Sequence, residues 1–539
     1  MAKNPQTKYI FVTGGVASSL GKGVAAASIG ALLQSRGYNV HARKFDPYLN
    51  IDTGEMSPLQ HGETYITADG HATDLDLGYY ERFLGVQSSK DDSVSGGRIY
   101  WEVLNASRRG EYSGATVQMI PHVSSKIKEY MGRDPNSGKT DFVICEIGGT
   151  VGDIEGLIFL EAARQFANDV GRRNAMFAHL TLAPFIEAAN ELKTKPTQQS
   201  VRTLLEKGIQ ADMLVIRTPR MLEDAERAKI AQFCNLAPES VISGIDMDNI
   251  YKIPLIYEAQ GVCDRILDHF GLETKTGNLS KFQKIADYLD SGAPDLDIAM
   301  VGKYFQVADA YKSMNEALFH AGMANDVRMK VHAVDADGLG EMTAADIEKK
   351  LGGARGILVP GGPGECGVKG TIAAAKFARE NKIPYLGICL GMQTAVIEFM
   401  RNACGIQNAN STEFSKYCEP VIDIMPARDK TSEDGSLRLG AYPCVMEKGT
   451  LAEKVYGAGA ISERHGHRYA MNIEYEPAMR DNGMIVSSRS PDGRVPEIIE
   501  IPSHPFFMAV QFHPEFQSSP FTSHPLFAAF VKSAKTRGR

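Results

Sequence analysis

Short apolar runs alternate with amphipathic stretches through roughly the first 270 residues of the chain. Mostly hydrophobic runs of this length are typical of strands buried on both faces of a parallel sheet. The predicted strands are Tyr9–Val12, Phe142–Cys145, Ala178–Leu182 and Met213–Ile216. Since helix-like segments separate them, residues 1–270 are predicted to form an α/β domain with a mostly parallel sheet.

A second α/β series follows a change in composition. Residues 271–296 are rich in Gly, Lys, Thr, Asn and Ser and contain one short amphipathic segment, which predicts a linker carrying a single helix. Apolar runs then resume, and we predict strands at Ile298–Val301, Val331–Val334, Gly356–Val359, Ile383–Leu386 and Phe507–Val510. The chain is therefore predicted to hold two doubly wound α/β domains, at residues 1–270 and 297–539.

The amino-acid composition and net charge of the chain exclude several classes of function. A net charge of -7 at pH 7 argues against non-specific binding to nucleic acid. The eight cysteines show no CxxC pair or metal-ligand spacing, which favours a reducing compartment over a disulfide framework or a zinc site. No apolar signal segment or membrane-spanning run is evident, so we expect a cytoplasmic protein with neither nucleic acid nor membrane as partner.

The segment Gly387-Ile388-Cys389-Leu390-Gly391 joins a predicted strand to a predicted helix. A sharp turn there lifts the central side chain out of the sheet, and the flanking glycines tolerate the required backbone. Because the helix begins at the cysteine, its N-terminal dipole favours the thiolate over the thiol. We therefore predict that Cys389 is a nucleophile; the alternative is a buried structural cysteine.

A general base for Cys389 is offered by the segment Phe512-His513-Pro514-Glu515-Phe516. Taken as a strand, this segment puts positions i and i+2 on one face, so that Glu515 can orient the imidazole of His513. Either motif alone is also explained by a structural cysteine and a surface histidine. Together they predict a catalytic triad of Cys389, His513 and Glu515.

The first predicted strand runs directly into the glycine-rich loop Thr13–Gly23, which an alanine-rich helix follows. Glycines let backbone N–H groups converge on phosphate oxygens, the helix start adds positive potential, and Lys22 supplies a full charge. The loop departs from the strict P-loop pattern, because five residues separate Gly15 from Gly21 and Gly23 replaces the usual Ser or Thr. It is predicted to bind a nucleotide phosphate.

The hydroxyl missing at position 23 would normally help to hold Mg²⁺, so other oxygens must replace it. Carboxylates are the expected ligands for this hard cation. Asp76 and Glu146, both placed where strands are predicted to end, are the candidates. The alternative is that both are solvated surface acids.

A basic segment, Lys193–Arg202, lies beyond a predicted strand and begins a predicted helix. Two lysines and several hydroxyls ahead of a helix N-terminus suit a triphosphate, although such a segment alone is more often a solvated loop. Lys44, just after a strand-like run, and Lys229, in a helical stretch, are weaker candidates that chemistry alone would not select.

Seven motifs together resemble the CTP synthase family, amidoligases that convert UTP to CTP, and the resemblance covers nearly the whole chain. The motifs are Gly14–Gly23, Ser57–Glu63, Thr73–Leu77, Glu146–Glu155, Lys193–Gln198, Gly387–Gln393 and His513–Glu515. The resemblance implies an N-terminal P-loop-type synthetase domain related to dethiobiotin synthetase and a C-terminal class I glutamine amidotransferase domain. It also implies a homotetramer.

The same resemblance implies the roles of individual residues. ATP would contact Ser19, Leu20, Gly21, Lys22, Gly23, Val24, Asp76, Ile245, Asp246 and Met247. UTP and the inhibitory product CTP would contact Ser18, Asp153, Ile154, Glu155, Lys193, Thr194, Lys195, Pro196, Thr197, Gln198 and Lys229. Glutamine would contact Gly362, Leu390, Gly391, Met392, Gln393, Glu413 and Arg468. Lys22 and Lys44 would serve phosphoryl transfer, and Asp76 and Glu146 would bind Mg²⁺, the implied cofactor.

One loop departs from the family pattern. In Gly361–Gly367, Pro363 replaces an aromatic residue and Cys366 stands where an arginine is expected. In the family this loop is associated with activation by GTP and with closure over the glutaminase site. The resemblance therefore leaves GTP as an allosteric activator open for this chain, whereas the catalytic triad is intact.

The reaction implied by the resemblance has two halves. Cys389, deprotonated by His513, would attack the side-chain carbonyl of glutamine and release ammonia, while ATP would phosphorylate the 4-oxygen of UTP, which ammonia then displaces. One rival is a cobyrinic-acid-type amidoligase, which needs no nucleotide segment at Lys193–Gln198. Another is a filament-forming or partitioning ATPase switch, which needs no glutaminase.

Overall fold

The computed structural model describes residues 7–54, 56–134, 138–351, 353–362, 367–425 and 437–537. Its strands are β1 Lys8–Gly14, β2 Val40–Asp46, β3 Tyr65–Ile66, β4 Ala72–Thr73, β5 Ser93–Ser95, β6 Phe142–Ile147, β7 Ala175–Leu182, β8 Phe185–Ile186, β9 Glu191–Leu192, β10 Met213–Thr218, β11 Val241–Ile245, β12 Asp295–Gly302, β13 Arg328–Asp335, β14 Gly356–Val359, β15 Tyr385–Ile388, β16 Ala409–Ser411, β17 Glu419–Ile424, β18 Arg438–Met446, β19 Ala460–His467, β20 Tyr469–Met471, β21 Ile485–Arg489, β22 Pro496–Glu500 and β23 Phe507–Val510.

The α-helices named here lie within the same described residues. They are α1 Lys22–Ser35, α2 Pro58–His61, α3 Asp76–Leu84, α4 Gly96–Arg108, α5 Ser124–Met131, α6 Leu157–Val170, α7 Lys195–Glu206, α8 Asp224–Cys234, α9 Ile253–Ala259, α10 Val262–Phe270, α11 Ser280–Leu289, α12 Lys312–Ala324, α13 Ala344–Lys350, α14 Val368–Glu380, α15 Leu390–Asn402, α16 Leu451–Tyr456, α17 Glu476–Asp481 and α18 Pro525–Thr536. Over these residues, every helix is too short or too polar to span a lipid bilayer.

The chain divides into two compact units. The first comprises Met1–Glu55 and Asp76–Asp287, and the second comprises Met56–Leu75 and Tyr288–Arg539. The segment Met56–Leu75 therefore belongs to the second unit although it lies early in the sequence. The hydrophobic pattern gives no sign of this excursion.

The first unit is built on a parallel sheet. Among the described residues its strands follow the order β11-β10-β7-β1-β6-β2-β5, and every neighbouring pair is parallel. All four predicted strands lie within it, since β1, β6, β7 and β10 contain them. Every residue of β6 is buried, as the unbroken apolar run predicted. Helices cover the sheet, and the carboxyl ends of its strands are where ligands bind in such folds.

The second unit contains a mixed sheet. Its described strands follow the order β13-β12-β14-β15-β23-β22-β21-β18-β19. The first five are parallel; they contain four of the strands predicted there and overlap the fifth, because β15 begins at Tyr385 rather than at Ile383. Strands β22, β21, β18 and β19 extend the sheet with antiparallel pairs. The antiparallel extension was not among the predicted strands. The fold class, two α/β domains, is confirmed, and one helix, α11, begins inside the predicted linker.

Candidate functional site

Cys389 stands at the turn between β15 and α15. Its backbone has φ 52°, a left-handed conformation that costs energy for a residue with a side chain. Its N–H donates to the Val510 carbonyl at 2.7 Å, so the neighbouring strand β23 helps to hold the turn. Cys389 is the N-terminal cap of α15, and the helix dipole therefore favours a negative charge on its sulfur.

His513 and Glu515 form a hydrogen-bonded pair beside Cys389. The imidazole Nδ1 and Glu515 Oε1 are 2.7 Å apart, and Glu515 is buried. Burial alone would lower the pKa of His513, but Glu515 and then Cys389, which is hydrogen-bonded to the imidazole, raise it well above its usual value. The site therefore favours the imidazolium form of His513.

The local structure predicted for this pair was wrong. His513 and Glu515 do not lie on a strand, because β23 ends at Val510 and the short 3-10 helix Pro514–Gln517 follows. Pro514 begins this turn, where its fixed φ and missing N–H are tolerated. The tight turn folds the Glu515 carboxylate back onto the ring, so the predicted contact forms by a different route.

The loop after β14 lies directly against the thiol and the imidazole. A Cβ atom at Gly361 would lie 2.8 Å from His513 Cε1 and 3.2 Å from Cys389 Cβ, so only glycine fits without displacement. A Cβ at Gly362 would meet nothing within 4 Å, so the space beside this residue is open. Pro363 and Cys366, on which the expectation about GTP depends, lie outside the described residues.

The predicted glutamine contacts are spread over several elements. Leu390, Gly391, Met392 and Gln393 form the first turn of α15, and the buried Gln393 donates from Nε2 to the Tyr469 carbonyl at 3.1 Å. Glu413 follows β16 and Arg468 lies between β19 and β20, both at exposed positions. Glu413 and Arg468 therefore lie on a different part of the unit from the first turn of α15.

Gln511 is a site residue that the sequence analysis missed. Its buried side chain donates from Nε2 to Cys389 Sγ at 3.7 Å, while its Oε1 lies 3.5 Å from Gln393 Nε2. The position of Gln511, two residues before His513 at the end of a buried strand, was the available signal.

The glycine-rich loop follows β1, as predicted. Gly21, with φ 89°, is the N-terminal cap of α1, and Lys22 begins the helix. Lys22 Nζ donates to the Gly149 carbonyl at 2.7 Å. Burial and the charge of Lys44 lower the pKa of Lys22, against the opposing effect of nearby carboxylates. Ser18 and Ser19 lie at exposed positions of the loop, where a ligand can reach them.

Lys44 joins the two predicted metal ligands. Its ammonium donates to Glu146 Oε1 at 2.9 Å and to Asp76 Oδ2. Lys44 lies within β2 and is buried, rather than following a strand. Asp76 was predicted at a strand end, but it is the first residue of α3, three residues after the two-residue strand β4. Glu146 lies inside β6 and is buried, and the Asp76 side chain is only 15% exposed, so neither acid is simply a solvated surface group.

The two carboxylates fit a hard divalent cation. Burial and the neighbouring Asp76 charge raise the pKa of Glu146, which a cation would reverse by favouring the carboxylate. A Cβ atom at Gly23 would lie 1.9 Å from Asp76 Oδ1, so the helix α1 backbone leaves room for this carboxylate only because position 23 is glycine. The absence of a hydroxyl after Lys22 thus has a steric reason.

Next to the loop lies a small cavity of about 80 Å³. Among its lining residues are Leu20, Val24, Ile245, Met247 and Tyr257, mostly apolar side chains that suit the flat face of a base. Three of the predicted ATP contacts (Leu20, Gly21 and Val24) thus meet two others (Ile245 and Met247). Asp246 pairs with Arg217, a lining residue that the sequence analysis did not select.

The basic segment lies beside the glycine-rich loop, since a Cβ atom at Gly15 would lie 1.7 Å from Ser200 Oγ in α7. Lys193 precedes α7 and pairs with Glu191 at 2.5 Å, and both Lys193 and Lys229 lower the pKa of Glu191. The two lysines therefore lie near one another. Asp153, Ile154 and Glu155 form an exposed turn ahead of α6.

His179 connects α7 to the phosphate loop and was also missed. Its ring nitrogens lie 2.8 Å from Thr13 Oγ1 and 2.8 Å from Ser200 Oγ. Burial and the Lys22 charge lower the pKa of His179 to about 3, so the ring is neutral near pH 7. A neutral ring can accept one hydrogen bond and donate another, which allows it to link the two elements.

Comparisons with known proteins cover both units. A family model described as "CTP synthase N-terminus" matches residues 8–272, and a model described as "Glutamine amidotransferase class-I" matches residues 306–533. The CTP synthase of Paramagnetospirillum magneticum is 50% identical over 543 residues, and that of Rhizorhabdus wittichii is 51% identical over 545. Each alignment covers 99% of this chain and 99% of the relative.

One solved structure, the glutaminase domain of Trypanosoma brucei CTPS with bound acivicin, is 41% identical, with a TM-score of 0.42. The match covers 45% of this chain and 95% of that structure.

Proposed function

The chain belongs to the CTP synthase family, and from this membership and the geometry of its sites we propose that it aminates UTP to CTP with ammonia released from glutamine. As a family member it is a ligase with a glutamine amidotransferase domain. What we propose beyond that is the chemistry of each half-reaction, the substrates ATP and UTP, and the residues that carry each step.

Glutamine hydrolysis is assigned to the second unit. The Cys389 thiolate attacks the side-chain carbonyl of glutamine and forms a thioester, and the His513 imidazolium gives its proton to the departing ammonia. Water then cleaves the thioester and frees glutamate. The close approach of Gly361 to the Cys389 side chain and the imidazole supports a role for this loop in stabilising the oxyanion through its backbone.

Amination is assigned to the first unit. The 4-oxygen of UTP takes the γ-phosphoryl group of ATP, and ammonia then displaces phosphate to give CTP. Lys22 and Lys44 neutralise the charge of the phosphoryl group in transit. Asp76 and Glu146 would hold Mg²⁺, which when bound screens the charge of the triphosphate. The apolar cavity beside Leu20 takes the adenine, and the lysines near Glu191 bind the UTP phosphates.

The proposal includes two further expectations from the family, inhibition by CTP at Asp153–Glu155 and a homotetramer, and leaves activation by GTP open. It rests on one observation above the others, the contact of Cys389 and Glu515 with the same imidazole. A switch protein has no use for this arrangement, so it favours an amidotransferase over the partitioning rival.

Replacing Cys389 with alanine tests the division of labour. CTP formation from glutamine should be lost, whereas CTP formation from an ammonium salt should persist, because alanine leaves the first unit unchanged. CTP is measured by chromatography with ATP, UTP and Mg²⁺ present. Loss of both activities would contradict the proposal, and so would UTP-independent ATP hydrolysis as the main reaction, which the cobyrinic-acid-type rival predicts. Cys404→Ala is the control, since Cys404 is a partly exposed cysteine of the same unit.

A further inference from the structure

We propose that Tyr65 is a positioning residue for glutamine hydrolysis, and that its hydroxyl holds both ends of the short segment carrying His513 and Glu515. The inference rests on the proposed function, because this position matters only if Cys389 and His513 hydrolyse glutamine. Tyr65 lies in Met56–Leu75, the segment that comes from the N-terminal half of the sequence but belongs to the second unit.

Two anchors fix the segment on either side of Tyr65. Before it, the Glu63 carboxylate accepts hydrogen bonds from the backbone N–H of Ser313, at 3.1 Å, and from its hydroxyl. Ser313 lies in the first turn of α12, where a negative charge is favoured by the helix dipole. After it, the Ala68 carbonyl accepts from the Ala441 N–H of β18 at 2.8 Å. Tyr65 therefore has a fixed place in the unit.

The Tyr65 hydroxyl bridges two residues around the catalytic segment. It donates to the Phe516 carbonyl at 3.1 Å and accepts from Arg464 Nη1 at 2.9 Å. The same Arg464 nitrogen donates to the Ile66 carbonyl at 3.0 Å. Tyr65 and Arg464 are buried, so the hydroxyl cannot be replaced by bulk water without a rearrangement.

Both residues that the hydroxyl holds contact His513 directly. The His513 N–H donates to the Arg464 carbonyl at 2.7 Å, which fixes the start of the segment. The Phe516 ring stacks on the imidazole with centroids 5.4 Å apart and planes inclined by 19°, which fixes the end. The Tyr65 ring in turn packs edge-on against Phe516 at 4.9 Å.

The protonation of His513 depends on this placement. The charged or titratable groups that act on it are Glu515 and Cys389, with His467 as a third group nearby. A ring displaced by a few tenths of an ångström would weaken its contacts with Glu515 and Cys389, both of which favour the imidazolium. Loss of the hydroxyl should therefore change the pH profile as well as the rate.

Tyr65→Phe tests the inference in the full-length enzyme, because it removes the hydroxyl and keeps the ring on Phe516. The kcat for glutamine hydrolysis should fall roughly three- to tenfold, the size expected for one net buried hydrogen bond. The KM for glutamine should change little, and the loss of activity at high pH should begin at lower pH than in the wild type. CTP formation from ammonium salt should stay within about twofold of wild type, since no contact of the first unit is altered.

Tyr288→Phe is the matched control. It removes a hydroxyl that donates to a backbone carbonyl, that of Val327, in the same unit but away from the catalytic segment. Thermal melts of both variants show whether each remains folded. If Tyr65→Phe unfolds, Arg464→Lys takes its place, because lysine keeps the charge but not the paired contacts to Tyr65 and Ile66.

Each outcome decides the matter. A wild-type enzyme that does not hydrolyse glutamine overturns the proposed function and this inference with it. This inference alone is overturned if the wild-type enzyme hydrolyses glutamine and the kcat and pH profile of Tyr65→Phe match those of Tyr288→Phe. A lowered kcat with an unshifted pH profile also overturns it, since that result indicates general loosening of the unit.

Discussion

Replacing Glu515 with glutamine should shift the pH range in which glutamine is hydrolysed. Glu515 Oε1 lies 2.7 Å from His513 Nδ1, and both side chains are largely shielded from water. Burial disfavours the imidazolium, and Glu515 is the strongest of the groups that outweigh it and raise the pKa of His513. Glutamine preserves the shape of the side chain and an oxygen acceptor but removes the negative charge.

The expected shift follows from the strength of this contact. A hydrogen bond to a charged group contributes about 1.5–3 kcal/mol, and one pKa unit corresponds to about 1.4 kcal/mol. The pKa of His513 should therefore fall by about one to two units in the variant. His513 must be protonated to release ammonia, and it loses this proton as the pH rises through its pKa. The alkaline limb of kcat should thus move to lower pH by about one to two units.

The assay is ammonia release from glutamine, measured as kcat across the pH range, with alkylation of Cys389 by iodoacetamide as a second measure of the ion pair. Glu463→Gln is the matched control, because Glu463 forms another buried carboxylate–imidazole pair, with His524 at 2.9 Å. An alkaline limb that stays in place in Glu515→Gln, or that moves equally in both variants, would refute the reasoning.

Two further predictions concern the first unit. Gly23→Ala should lower CTP formation from both glutamine and ammonium at least tenfold, the order of effect of disturbing the support of a metal site, because the new Cβ would displace Asp76, a proposed Mg²⁺ ligand. Glutamine hydrolysis should survive, and Gly459→Ala, where a Cβ meets nothing within 4 Å, should be silent in the same assays. Burial lowers the pKa of His179 to about 3, so below pH 6.5 the unfolded chain binds a proton at this residue that the folded chain does not bind. The contribution of His179 to folding stability is therefore present above pH 6.5 and is lost as the pH falls towards 3. Between pH 6.5 and pH 5 the free energy of unfolding of the first unit should fall by about 2 kcal/mol more in the wild type than in His179→Gln. Thermal unfolding followed through Trp101, the single tryptophan, measures this difference. Equal decreases in the two proteins would contradict the burial of a neutral ring.

The elements that the sequence predicted are those whose signal is local. An apolar run such as Phe142–Cys145 marks a strand buried on both faces, whatever the rest of the chain does. The turn at Cys389 is equally local, since adjacent glycines and an apolar strand define it. The antiparallel strands β18, β19 and β21 gave no such signal, because their burial alternates or is partial.

The side-chain contacts of the sites depended instead on the type of turn or on long-range packing. Glu515 reaches His513 because Pro514 begins a 3-10 turn, and period-two reasoning could not distinguish that turn from a strand. Lys44 becomes a bridge between two acids only because β2 lies beside β6 in the sheet and α3 begins next to α1. The contact of Glu515 with His513 was therefore predicted with the wrong local structure, whereas the contacts of Lys44 cannot be inferred from residue types and spacing alone.

The segment Met56–Leu75 is the clearest case of a feature that the sequence pattern does not reveal, and it has a physical consequence. Tyr65 and Phe516 are 451 positions apart, and closing a loop of that length costs only slightly more entropy than closing one half as long. A short segment can therefore be supplied to a distant unit at little extra cost, provided that it buries enough surface and satisfies its polar groups there. The Glu63, Tyr65 and Ala68 contacts meet that condition. The second unit thus incorporates residues from the N-terminal half of the chain.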